Sequence, residues 1–444
     1  MTQSPRATIA GACLGMLAVG ANGTAIMAAL PTMRAELALN AGAVQWAVNA
    51  YLLTSAICII VGGKASDRVG ARTVSLAGLA LFGVASAIIA IAQGPVTLLA
   101  GRALQGLAAA LAVPGTLAAV GAATPPEDRA SAIGAWTGFL MLGFSIGPLF
   151  GGALTDFVDW RAIFWTNVIA VAAAAALLAA GPASRITAPG TLLANFDLPG
   201  FVLTGLFMAM LIFALQGLRT IATSPLDVIM PAAGSAVALF MLKRVEPRAR
   251  EPMVDFSFFA NARFDRGIAI GAIAMLAILT LLLYYNLNAQ NPLRLGMTSL
   301  EAGLSLLPLS AGLLAFSLQA PKIVRRLGQR KALTGAMALT IAACAVLAIE
   351  EASPLLRSLA LFAFGAGIAV PYASAPRLAL AALDPSKAGH GSGKINACSF
   401  LGGSIGVAAG DIAFTAGGLP AVLALIGAAA LTGAAICLRL NDSD

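Results

Sequence analysis

The sequence predicts an all-α, polytopic membrane protein with fourteen transmembrane helices arranged as six, two and six. Three observations carry this. Of the 444 residues, 59% are apolar and only 10% charged, with a mean hydropathy of +0.90, where ordinary soluble domains hold about 25% charged residues. Apolar runs of roughly 20 residues, the length that crosses the hydrocarbon core, recur along the whole chain. A short charged stretch after the second run returns in worn form after the tenth.

The runs fall at 8–31, 41–63, 73–93, 95–123, 129–154 and 160–180, then at 198–218 and 226–242, and finally at 267–289, 300–320, 332–350, 355–382, 389–416 and 418–438. The charged stretch is Gly62-Gly63-Lys64-Ala65-Ser66-Asp67-Arg68-Val69-Gly70-Ala71-Arg72, and its counterpart runs from Ala320 to Lys331. Each sits at nearly the same distance from the start of its set of six. Residues 1–180 and 266–444 are therefore expected to be two parallel six-helix bundles, with 181–265 a two-helix insertion and an inner-surface segment. An even insertion keeps the bundles parallel. Basic loops resist translocation. With both termini cytoplasmic, 21 of the 27 Lys and Arg fall on the inner side and five (Arg34, Arg161, Arg219, Arg294, Arg357) on the outer. The expected location is the cytoplasmic cell membrane, crossed many times.

The formal charge of +8 follows from that topology, not from nucleic-acid binding, because no basic run carries interleaved aromatics. Five cysteines without a Cys-x-x-Cys pair support neither a disulfide framework nor a zinc site. One histidine, no paired-carboxylate motif and no nucleophile elbow argue against an enzyme, and no metal or cofactor is expected. The expected partners are a small-molecule substrate, protons and the lipid bilayer, with the chain a monomer.

Polar residues inside the spans are the candidates for function. In the first span Asn22 stands nine residues before Pro31. It hydrogen-bonds but carries no titratable proton, so it lines a cavity or packs beside Gly23. In the second span Gln45 and Asn49 share a face, with Trp46 beside them; an interface belt is the blander reading of the aromatic. The fourth span carries Arg102, followed by Gln105 and Gly106. A membrane-centre Arg costs at least about 2.5–3.5 kcal/mol on insertion scales, so it is paired or functional. In the fifth span Gly143, Gly147, Pro148, Gly151 and Gly152 make a flat stripe for close helix approach.

Asp197 reads as an N-cap with Pro199 in the first turn, and residues 251–259 as a segment along the inner surface. Tyr284, Tyr285, Asn286, Asn288, Gln290 and Asn291 gather at the outer end of the ninth span, and Glu301 begins the tenth facing the helix dipole. Tyr372 and Arg377 lie in the twelfth, the latter near enough the inner end to snorkel. His390, Lys394 and Asn396 lie in the small, polar start of the thirteenth; for His390 a solvated helix-start residue is the simple reading. Asp411, in the outer part of the same span, is the remaining candidate acid within the membrane.

Several of these patterns together resemble the major facilitator superfamily. The loop matches as Gly63-x-x-x-Asp67-Arg68-x-Gly70-x-Arg72, the fourth span as Arg102-x-x-Gln105-Gly106, and the fifth as the glycine motif of its antiporters. Asn22 to Pro31, Trp46 with Tyr51, Asp159-Trp160-Arg161, and the segments opening at Asn195 and Glu251 resemble its fourteen-helix drug:proton antiporters. The resemblance implies a secondary active transporter that exports small amphipathic molecules by alternating access, with proton antiport. The alternative is a dedicated carrier of an anionic, zwitterionic or lipid-like metabolite without proton coupling. It implies a coupling role for Arg102; Asp411, the remaining acid within the membrane, is the candidate to carry the proton. It also implies a gate latch between Asp67, Arg68 and Arg72 and the start of the penultimate span, near His390 and Lys394. The substrate-cavity candidates are Asn22, Gln45, Trp46, Asn49, Gln105, Tyr284, Tyr285, Tyr372 and Asn396. One departure is plain: the fourteen-helix group usually has an aspartate where this chain has Asn22.

Overall fold

A computed structural model describes residues 5–181, 197–221, 223–249, 252–253, 261–349, 353–382 and 388–440, without the side chains of 130, 220 and 388–392. Among these residues it is all-helical: α1 (Pro5–Glu36), α2 (Ala41–Val69), α3 (Ala71–Ala90), α4 (Pro95–Ala123), α5 (Arg129–Phe157), α6 (Arg161–Ala180), α7 (Leu198–Gly217), α8 (Leu226–Val245), α9 (Ala262–Ala289), α10 (Ser299–Ser305), α11 (Leu307–Leu327), α12 (Gln329–Leu347), α13 (Pro354–Leu380) and α14 (Ala388–Leu438), with two short 3-10 turns. Thirteen helices are long and apolar enough to cross a membrane.

The number fourteen agrees with the sequence, but the chain is cut differently in one place. The expected tenth span, 300–320, is broken at Leu306 into α10 and α11. Pro308 explains the break, because it has no N–H and its ring collides with the carbonyl four residues back. The expected thirteenth and fourteenth spans are the two helices that make up α14: they meet at Gly417 and Gly418, whose backbone is not helical, with Gly418 at φ 64°.

The two charged loops share a hinge. α2 passes into α3 through Gly70 at φ 103°, and α11 passes into α12 through Gly328 at φ 79°. Side chains with a Cβ avoid this region, so glycine is required at both turns. These loops mark one end of the molecule, the Gly70 end; the opposite end is named for Asn40, whose side chain caps α2 by accepting from Ala43 N at 2.7 Å.

Packing divides the helices. α1 lies against α5 and α6, α4 against α2 and α3, and α3 against α6; α9 packs on α13 and α14, and α13 on α11 and α12. α7 and α8 pair with each other on the outside. Only 17% of the most apolar window of α8 is buried, against 89% in α1, as expected of a helix that faces lipid. α7 reaches both sides of the boundary, touching α2 and α14. At the Asn40 end Glu36 joins α1 to α6, accepting from Trp160 Nε1 and pairing with Arg161, both at 2.8 Å.

Two local expectations meet their structure. Asp197 caps α7 by accepting from Gly200 N at 2.9 Å, and also takes a bond from Met253 N. Glu301 does more than face a dipole: it closes a capping box with Thr298. The inner-surface segment 251–259 lies outside the described residues except for Pro252 and Met253, as do Asn195, Phe196, Arg185 and Lys387.

Candidate functional site

The fully buried Arg102 anchors a polar chain inside the first six helices. Its Nε donates to Ala47 O of α2 at 2.6 Å and its Nη1 to Gln105 Oε1 at 2.7 Å; its guanidinium lies 4.6 Å from the centre of the Tyr51 ring. Gln105 donates to Ser86 Oγ at 2.9 Å and exchanges two 3.4 Å amide contacts with Asn22. Asn22 Oδ1 in turn accepts from Asn167 Nδ2 of α6 at 2.8 Å. Five helices thus share one chain of hydrogen bonds with no carboxylate in it. Arg102 Nη2 is buried and has no hydrogen-bond partner among the described residues. Such a donor is costly unless a ligand or water meets it.

From Arg102 the aromatic path leads toward the second set of helices. Tyr51 meets Phe400 of α14 edge-on, with ring centres 6.5 Å apart, and Tyr372 of α13 lies within electrostatic reach of it. Arg102, Gln105, Asn22, Tyr51 and Tyr372 therefore form one neighbourhood. Other candidates go elsewhere. Asn49 accepts from Ser404 Oγ of α14 at 2.9 Å, and Gln45 faces Asp411. Trp46 points to neither; its ring is 4.7 Å from Phe213 of the inserted α7. The 100° step between adjacent helical residues separates them. Tyr284 donates to Val407 O at 2.6 Å, within the α9–α14 packing. Tyr285 lines a pocket at the Asn40 end with Arg294 and Arg357, and Asn396 a pocket at the Gly70 end.

Asp411 is not isolated at a surface. It forms an ion pair at 3.4 Å with Arg219, from the turn between α7 and α8, and its side chain is 14% exposed. Sequence reasoning missed Arg219, having assigned it to an outer loop.

The glycine stripe of α5 fits the backbone of α1. A Cβ added at Gly143, Gly147 or Gly151 would overlap Leu17 O, Thr24 Oγ1 or Ala25 O, and one at Gly152 would overlap Ser299 O of α10. Pro148 has a second consequence. Without its N–H, Phe144 O loses its helical donor, and Thr24 Oγ1 of α1 supplies one at 3.1 Å.

Contacts across the boundary close the Asn40 end. Gln290 of α9 donates to Ala28 O of α1 at 2.8 Å, and Leu300 N of α10 to Asp156 of α5 at 2.8 Å. Deeper, Ser310 of α11 donates to Ser145 O. Toward the Gly70 end, open space surrounds a Cβ built at Gly134 or Gly138 of α5, and Leu318 of α11 is 62% exposed. At that end α2 and α14 stay close. Asp67 lines a pocket of about 220 Å³ with Lys64, Gly393 and Asn396, and a Cβ at Gly393 would lie 3.6 Å from Ile60. Arg72 is not among the pocket's lining residues and donates to Ala179 O at the end of α6. Lys394 is buried, and the His390 side chain lies outside the described residues.

Residues 12–407 match the Major Facilitator Superfamily. The chain belongs to that superfamily. Its similar relatives within it are drug-resistance and export proteins. The chain is 29% identical to the tetracenomycin C resistance and export protein of Streptomyces glaucescens, over 91% of this chain and 75% of that one. It is 30% identical to the cephamycin export protein CmcT of Amycolatopsis lactamdurans, over 89% and 82%. It is 28% identical to the multidrug resistance protein Stp of Mycobacterium tuberculosis, over 92% and 75%. Among solved structures, the human organic anion transporter MFSD10 (TETRAN) superposes with a TM-score of 0.67 at 15% identity, covering 98% of this chain and 99% of that one; at that identity the likeness concerns the major facilitator fold. This protein is thus a multi-pass membrane transporter.

Proposed function

We propose that this transporter exports small amphipathic molecules by alternating access and exchanges them for protons. The Gly70 end faces the cytoplasm, and residues 1–180 and 266–444 rock against each other. The observation that carries the reading is an asymmetry of contact: the bundles are hydrogen-bonded together at the Asn40 end, whereas toward the Gly70 end Gly134 and Gly138 of α5 meet nothing and Leu318 of α11 is exposed. That is the arrangement of a carrier loading from the cytoplasm. The export activities of the similar relatives for tetracenomycin C and cephamycin support the direction. Asp411 carries the proton in this scheme, and the Arg102 neighbourhood with Gln105, Asn22 and Tyr372 receives the substrate. Asp67 latches against the start of α14 when the inner side shuts, while Arg72 holds the loop to α6.

A second reading, an uncoupled carrier of anionic, zwitterionic or lipid-like metabolites, is favoured by one observation. The buried chain around Arg102 contains no carboxylate, and Arg102 offers an unused donor. A basic cavity attracts acceptors and repels lipophilic cations. Reconstituted vesicles separate the two. Antiport requires substrate accumulation driven by a proton gradient and abolished by Asp411→Asn. Flux of equal speed with and without the gradient establishes the uncoupled carrier, and absence of any flux removes both.

A further inference from the structure

The Gly70 end holds a second basic site that the transport cycle above does not use. A cavity of about 280 Å³ lies between α9, α11 and α13, with the start of α12 at its edge. Three arginines from three helices line it: Arg263, Arg325 and Arg377, with Gln329 and the buried Ser374. Among the described residues no carboxylate lines it. Asp265, two residues beyond Arg263, is not among the lining residues, and among the described residues neither Arg325 nor Arg377 forms an ion pair. The general excess of basic residues at one end of a membrane protein accounts for arginines near the surface. It does not account for three of them converging on one cavity from separate helices.

We infer that this cavity binds a phosphate-type oxyanion, carried by an anionic lipid headgroup or free in solution. Arg325 and Arg377, like charges that form no ion pair among the described residues, repel when held close, and an anion between them relieves that repulsion. The planar guanidinium fork matches phosphate oxygens two at a time. Gln329 and Ser374 add neutral donors. Pro321 and Leu378 make the remaining wall apolar, which suits the glycerol and first carbons behind a headgroup. Basic pockets between transmembrane helices hold anionic headgroups for these reasons.

The test uses purified full-length protein in detergent and reads binding, not transport, so its failure leaves the export reading untouched. Native mass spectrometry would compare wild type with Arg325→Gln/Arg377→Gln, using phosphatidylglycerol, phosphatidylcholine and inorganic phosphate as probes. For a lipid site, phosphatidylglycerol occupancy falls at least tenfold in the double variant while phosphatidylcholine is unaffected. For a free-anion site, millimolar phosphate raises the melting temperature of wild type, not of the variant, and competes with phosphatidylglycerol. Equal phosphatidylglycerol binding by both proteins, with no response to phosphate, overturns the assignment. Should the double variant fail to fold, Arg325→Lys/Arg377→Lys keeps the charge and removes the fork. A several-fold loss of affinity is then expected, and unchanged affinity counts against the site.

Discussion

Thr24→Val should destabilise the protein, and Pro148→Ala should cancel that cost. Pro148 deprives Phe144 O of its helical donor, and Thr24 Oγ1 replaces it from the neighbouring helix at 3.1 Å. Valine keeps the shape of threonine and removes the hydroxyl, leaving a carbonyl in a dry interface. A buried polar group without a partner costs about 1–3 kcal/mol, while interhelical hydrogen bonds inside membranes average about 0.6 and reach about 1.7 kcal/mol. The close α1–α5 approach at Gly147 and Gly151 leaves no room for water, which places the loss near the upper part of that range, about 1–2 kcal/mol. In a Pro148→Ala background the alanine N–H serves Phe144 O, so Thr24→Val should then cost less than about 0.5 kcal/mol. Equilibrium unfolding in detergent of the four proteins of this cycle measures the coupling. Equal costs of Thr24→Val in both backgrounds would refute the argument, because the threonine would then act through packing alone.

Three further outcomes are expected. Arg102→Ala removes two buried charge-assisted bonds and the contact with Tyr51; offset by the lower cost of inserting alanine, it should destabilise by about 1–3 kcal/mol and abolish flux, read by thermal unfolding and vesicle transport. Asn22→Asp keeps the donors of Asn167 and Gln105 and installs an acid beside them, so efflux of lipophilic cationic dyes should rise several-fold; an unchanged dye efflux would show that the basic character of the cavity does not set selectivity. Arg219→Gln leaves Asp411 without its counter-charge and should lower stability by about 1–2 kcal/mol, whereas Arg219→Gln/Asp411→Asn should be more stable than Arg219→Gln alone; additive losses in unfolding would show that the two side chains are not coupled.

The membrane class and the number of helices were legible because both rest on quantities summed over long windows. Twenty apolar residues are a span whatever they pack against, and a charged glycine turn between two spans is a loop in any arrangement. Gly70 and Gly328 show how far this reaches: the repeat seen as residue types reappears as two hinges with positive φ. Breaks inside apolar runs were not legible in the same way. The division at Leu306 follows from Pro308, whereas the break between the last two spans, at Gly417 and Gly418, falls where the apolar pattern placed it.

The candidate site was legible residue by residue but not as an assembly. Arg102, Gln105 and Asn22 stood out because polar groups are costly in lipid, and they do meet. Asn167 counted only as part of the resemblance at the start of the sixth span and not as a cavity residue, although it is the only amide in α6, a signal as strong as Asn22. Partnerships between distant segments had no local sign. Arg219 reaches Asp411 across 192 positions, and Gln290 reaches Ala28 across 262. Trp46 turns to the inserted α7, a neighbour that helical periodicity cannot name. By itself, then, the sequence determined which residues lie in lipid and which of them are polar, since transfer from water is a property of each side chain. The tertiary structure alone decided which polar group answers which, because a hydrogen bond in a membrane interior depends on two helices meeting at one height and one angle. At its centre, that settled how the buried Arg102 is held: by Ala47 O and Gln105, with no acid among its partners in the described residues.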